Sequence, residues 1–133
     1  MNWKYIKPLK NESALTNYEH LVDYKLPPSF LECIRQNNGG RPERSLFDTE
    51  FAKERAMKSL LSFNQEDRET VWKIVEWDKE ELRNRFVPFA IDNFGNLICF
   101  DKLNDNIVFL EHETLRQEKV ADSFDDFLNN LYS

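Results

Sequence analysis

Apolar positions recur along this chain in two rhythms, and each rhythm predicts a different kind of element. Leu15, Tyr18, Leu21 and Val22 fall at helical spacing and predict a helix over 12–24, with Ser13 as its N-cap. Leu26-Pro27-Pro28 ends that helix, because a residue before proline is driven out of the α region, and Pro28 suits the first turn of the next helix. That second helix is expected over 28–37, with Phe30, Leu31 and Ile34 as its apolar stripe. Gly39 can take the left-handed conformation that closes a helix, and Gly40 frees the following turn. Arg44–Phe47 and Met57–Phe63 read as strands. Asn64, three residues before Asp67, has the spacing of a helix cap and opens a predicted helix over 65–84 that carries Val71, Trp72, Ile74, Val75 and Leu82.

The later part of the chain turns to strands. Val87–Ile91 and Leu97–Phe100 are joined by Asp92-Asn93-Phe94-Gly95-Asn96, whose Asn and Gly suit the positive φ angles of a hairpin turn. Pro88 belongs near a strand start or a bulge. Ile107–Leu110 is continuously apolar, the mark of a strand covered on both faces, and is expected to be central in its sheet. Ser123 and Asp126 have N-cap spacing, and Phe124, Phe127, Leu128 and Leu131 form the stripe of a final helix. Hairpin-linked strands with helices mainly toward the two ends of the chain predict one α+β domain over 1–133, an antiparallel β-sheet flanked by helices.

Composition supports a packed core: 41% of the 133 residues are hydrophobic and 11 are Phe, which excludes a disordered tail. No apolar run approaches the roughly 20 residues that span a bilayer, and Met1–Pro8 lacks the apolar stretch of a signal peptide. The expectation is a cytoplasmic protein with Cys33 and Cys99 as reduced, buried thiols. Charge is uneven. Residues 1–66 carry ten Lys/Arg against nine Asp/Glu, or +1, while residues 67–133 carry eight against fifteen, or −7. Such a chain repels phosphate backbones and anionic lipid, so direct nucleic-acid or membrane binding is disfavoured and a basic protein partner is favoured.

No catalytic or cofactor constellation emerges, and no metal or cofactor is expected. His20 and His112 lack Cys or His partners at ligand spacing, and two cysteines without a CxxC make no standard zinc site. Three glycines are too few for a phosphate-binding loop. Asp92, Asp101 and Asp105 fit Asx-type turn chemistry better than a calcium loop. The pairs Glu80-Glu81, Glu111/Glu113 and Asp125-Asp126 read as solvated faces rather than as an acid and a base, because neighbouring helix residues do not face one another. Trp3, Trp77 and Phe94 lie outside the core stripes and are expected to be partly exposed; exposed aromatics can anchor a protein interface.

Four segments, taken together, resemble the SUKH superfamily of Smi/Knr-type proteins. Leu26-Pro27-Pro28-Ser29-Phe30, running into a helix that ends at Asn38-Gly39-Gly40, resembles its opening signature. Val87-Pro88-Phe89-Ala90-Ile91-Asp92 through Gly95-Asn96 to Asp101 resembles its hairpin, Ile107–Glu113 its following strand, and the helix from Ser123 its ending. The resemblance runs from about residue 12 to the end and holds all three glycines. It departs from the common pattern at Asp92–Gly95 and between Arg41 and Phe51, loop positions that bear on partner choice more than on fold.

The resemblance implies a non-enzymatic binding scaffold. In bacteria such proteins are mostly immunity proteins, encoded beside a polymorphic toxin and neutralising its C-terminal toxic domain. An acidic second half would suit a toxin with a basic, nuclease-type groove. On this reading Pro27, Asn38, Gly39, Gly40, Pro88, Asp92, Gly95, Asn96 and Asp101 are structural. The partner-facing candidates are Trp77, Asp78, Glu80, Glu81, Asp105, Glu111 and Glu113. Two other readings are a regulatory or scaffolding module with a host protein partner, and a small hydrolase or ligand-binding domain with a pocket near His112.

Overall fold

The computed structural model describes residues 1–77 and 84–133. Among these lie eight strands and four helices. The strands are β1 (Trp3–Lys4), β2 (Arg41–Pro42), β3 (Leu46–Phe47), β4 (Arg55–Leu60), β5 (Phe86–Asp92), β6 (Leu97–Asp101), β7 (Ile107–Leu110) and β8 (Gln117–Ala121). The helices are α1 (Ser13–Val22), α2 (Pro28–Asn37), α3 (Val71–Trp77) and α4 (Phe124–Asn130). Strands β3 to β8 form a six-stranded antiparallel sheet in chain order, and β1 pairs with β2 in a separate two-stranded ribbon. This is the α+β architecture that the patterning predicts.

The apolar runs explain the order of the sheet. Every residue of β5, β6 and β7 is buried, so these strands are covered on both faces. β7 is interior, as expected, though it lies second from the edge and β5 and β6 are more central. Pro88, which has no N–H to give a ladder, sits where the β5–β6 register shifts between Pro88 and Ala90. Against the sheet pack α2 and α4, through a continuous aromatic cluster. The Phe30 ring lies 5.1–6.2 Å from those of Phe63, Phe89, Phe100 and Phe124, and Phe127 reaches Phe47 and Phe89. From α1, Tyr18 meets Phe63 and Trp72 edge-on and donates its hydroxyl to the Pro88 carbonyl at 2.7 Å.

The sheet curls until its two end strands are linked through the 48–54 loop. Arg55 at the start of β4 reaches Glu118 on β8, and the Glu50 N–H donates to the Lys119 carbonyl at 3.1 Å. On the other side, Leu46 of β3 exchanges both backbone hydrogen bonds with Tyr132. Both outer ladders are thereby blunted by the chain itself.

Several local expectations are corrected. Ser13 is the first helical residue rather than the cap; the cap position is Glu12, and the Asn11 side chain accepts from the Ser13 N–H instead. Leu21 is 53% exposed, because it lies about 60° past Tyr18 on the side away from Val22. The 57–63 strand begins earlier and ends at Leu60.

Asn64 and Asp67 do not open a helix. Their side chains bond to each other, to Ser62 and to the Pro8 carbonyl, and α3 starts only at Val71, where Thr70 Oγ1 accepts from the Lys73 N–H. The part of that predicted helix beyond 77, with Leu82, lies outside the described residues. Gly40 is needed for space rather than for φ: a Cβ there would stand 2.8 Å from the Asn37 carbonyl oxygen. Cys99 is buried, whereas Cys33 is only partly covered.

Candidate functional site

The motif residues, placed by these elements, act as ties between segments. Asn38 follows α2 with its side chain fully buried. Its Nδ2 donates to the Lys7 carbonyl at 2.7 Å and to Ser62 Oγ at 3.0 Å, and its Oδ1 accepts from the Phe63 N–H at 2.8 Å. Gly39, at φ +68, lies under the Lys7 side chain. Asn64 accepts from the Lys10 N–H and donates to the Pro8 carbonyl. Together they pin the segment that leads from β1 to α1. Pro27 occupies the cap position of α2 with Pro28 at its start.

Asp92 organises the β5–β6 turn. Its Oδ1 accepts from the N–H groups of Phe94 and Asn96, both at 2.8 Å, and its Oδ2 accepts from Asn96 Nδ2 at 3.0 Å. Asn96 Oδ1 then accepts from the His112 N–H at 3.1 Å, and the His112 ring lies over Gly95, which takes φ +85. One hairpin tip is thus tied to the turn after β7. That turn, 111–116, joins a third loop: the Arg116 guanidinium lies 5.0 Å over the Phe51 ring, and Glu50 Oε1 accepts from the Lys119 N–H at 3.0 Å. In the same loop, Asp48 Oδ1 accepts from the Glu54 N–H at 3.0 Å and from the Tyr132 hydroxyl at 2.6 Å. The Tyr132 hydroxyl bond, first, and the Glu54 N–H hold the Asp48 carboxyl below its ordinary value.

Behind this surface sits Glu118, whose side chain is 4% exposed. It accepts from Thr49 Oγ1 at 2.6 Å and from Arg55 Nε and Nη2 at 3.1 and 3.2 Å, while Arg55 also stacks 4.2 Å from the Phe109 centroid. The sequence reading missed Glu118 and the strand that carries it. Burial along Gln117–Ala121 runs exposed, buried, exposed, half-buried, buried, with a register shift in its pairing to β7, so Glu118 and Ala121 are both buried without a regular alternation that the sequence could have shown.

The opposite end of the sheet is organised separately. Asp101 is buried and accepts from Arg85 Nε, Arg85 Nη2 and the Leu103 N–H; this hydrogen-bonded ion pair raises the Arg85 pKa. Asp105 accepts from the Tyr24 hydroxyl at 2.7 Å. Burial, then this bond, pushes the Tyr24 hydroxyl well above its ordinary value.

The partner-facing candidates therefore do not form one patch. Glu111 and Glu113 lie at the three-loop end, Asp105 beyond the far end of β7 beside Tyr24. Asp78, Glu80 and Glu81 lie outside the described residues, and Trp77 is placed only as the last residue of α3. Of the aromatics expected to be partly exposed, Phe94 is exposed and Trp3 is half-buried, one side of it packed against the core.

His112 is exposed at the three-loop end. A concavity of about 670 Å³ lies elsewhere, beside α2 and α4, with a polar lining that includes Ser29, Glu32, Gln36 and Asn129. Cys33 borders it, and burial pushes that thiol up to about 11 against the opposing hydrogen bond from Asn37. Among the described residues, no three His, Cys, Asp or Glu side chains form a metal cluster, and no helix is long and apolar enough to cross a membrane.

Helices packed on a curled antiparallel sheet, with the polar motif residues engaged in tying loops together, define a single α+β scaffold. The chain belongs to the SMI1/KNR4 family (SUKH-1), which it matches over residues 11–130. This is a family of immunity proteins in polymorphic toxin systems, generally non-catalytic. No curated protein matches the chain.

Proposed function

We propose that this protein is an immunity protein that binds the C-terminal toxic domain of one cognate polymorphic toxin, one to one, and blocks or distorts its active site without catalysis of its own. Family membership over nearly the whole chain carries the reading. Site chemistry supports it: Asn38, Asp92, Asn96 and Asp101 have their polar atoms engaged in internal hydrogen bonds, as suits a scaffold. The acidic second half favours a basic toxin domain of the nuclease type, since a groove that holds phosphates must itself be cationic.

The test is co-expression with the toxin domain encoded beside this chain's gene. Growth arrest relieved by this chain, with a one-to-one complex in calorimetry, is the expected result. A chain that neither binds nor protects, and that captures a host protein instead, would replace immunity with a regulatory or scaffolding role.

A further inference from the structure

Two phenylalanines at the three-loop end lie outside the core. Phe94 is 85% exposed and Phe51 is 64% exposed. Single exposed apolar residues mean little, but these two stand on loops that are tied to one another. The Phe94 N–H is held by Asp92 at 2.8 Å, on a turn whose far side is bonded to His112. The Phe51 N–H is held by Thr49 Oγ1 at 3.2 Å, and its ring lies beneath Arg116, four residues along the chain from His112. Both rings are therefore carried on backbone held by hydrogen bonds, where little backbone entropy remains to be lost on binding. Loops 48–54 and 111–116, which frame that surface, carry five acidic side chains against Lys53 and Arg116.

We propose that this end of the sheet is the docking face for a toxin domain with a nucleic-acid-binding cleft, with Phe94 and Phe51 as its apolar anchors. Such a cleft offers cationic walls for phosphates and apolar slots for bases. Exposed rings among carboxylates complement both. The inference rests on the immunity reading and narrows it to one surface. Glu111 and Glu113 steer encounter, while the two rings set residence time.

The experiment uses the full chain and the C-terminal domain of the toxin encoded beside its gene, with calorimetry and stopped-flow association at two salt concentrations. Phe94→Ala is expected to weaken binding about 30-fold, mainly through faster dissociation, with a smaller loss for Phe51→Ala. Glu111→Gln with Glu113→Gln is expected to slow association and flatten its salt dependence. Leu103→Ala, 73% exposed at the opposite end, is expected to change nothing. Because both rings are exposed, melting curves of the variants should overlay that of the parent protein.

Parent-level affinity in the Phe51→Ala/Phe94→Ala double variant, with the parent still binding tightly, would overturn this face and leave the immunity reading standing. Failure of the parent to bind would remove both. A self-associated state abolished by Phe94→Ala would assign the face to a second copy of the chain and overturn the proposal.

Discussion

Removing Glu118 tests whether the curled sheet is held by one buried ion pair. The carboxylate is 4% exposed, and its partner Arg55 is 29% exposed. Breaking a fully buried pair costs about 3–5 kcal/mol, but in Glu118→Leu the freed guanidinium regains some water and keeps its stacking on Phe109, so about 2–3 kcal/mol is expected. For a chain of this length that lowers Tm by about 10 °C. Arg55→Met should cost more, about 3–4 kcal/mol, because the stranded charge is then the buried one and Arg116, 3.6 Å away, compensates only in part. The double variant Arg55→Met/Glu118→Leu replaces both charges with apolar groups of similar size and should lie within about 1 kcal/mol of the parent protein. Urea unfolding followed by tryptophan fluorescence measures all four proteins. The expected coupling is about 4 kcal/mol or more. If the double variant costs as much as the two single ones together, the pair does not act as a unit, and closure of the sheet rests on packing alone.

Three further outcomes follow from the buried polar ties and the tight turns. Asn38→Ala removes three buried hydrogen bonds and should cost about 3 kcal/mol, with faster hydrogen exchange at residues 3–10, whose anchor it is. Gly40→Ala brings a methyl group to 2.8 Å from the Asn37 carbonyl oxygen and should cost at least about 2 kcal/mol in chemical denaturation, more than Gly95→Ala, where the nearest outside atom is 3.4 Å away and the cost is chiefly that of positive φ. The Cys33 thiol titrates higher folded, at about 11, than its ordinary 9.0. Its protonated form is thus favoured by folding: the contribution is complete below about pH 9 and is lost as pH rises through about 11. Tyr24 shifts in the same direction. Stability should therefore fall across that window, and Cys33→Ala should recover up to about 2 kcal/mol of the loss at its upper end.

The sequence was most legible where burial is two-sided or where a cap is local. β5, β6 and β7 are unbroken apolar runs, and α4 has Ser123 Oγ accepting from the Asp126 N–H as the spacing predicts. It was least legible where a polar side chain takes a distant partner. Glu118 sits on the inner side of β8 because Arg55 and Thr49 meet it from more than sixty positions away, so the strand reads as a polar loop. Asn64 and Asp67 have cap spacing, yet the Pro8 carbonyl and Ser62 hydroxyl claim their side chains. β1 and β2, two residues each, have no pattern of their own and exist through their pairing. The candidate site was legible in part: Phe94 was expected to be exposed, but its link to Phe51 runs through His112 and Arg116, and spacing along the chain does not encode that path.

The blunted outer ladders restrict how this protein can be read by another molecule. With Leu46 paired to Tyr132 and Lys119 held by Glu50, the two outer strands of the six-stranded sheet are taken up by the chain itself at these positions and give a visiting strand little to extend. What the surface presents is then carried by side chains, and on the loops a substitution changes it without shifting a strand register. A few changed loop residues can thus alter the face this protein offers to another molecule, while the sheet beneath them stays as it is.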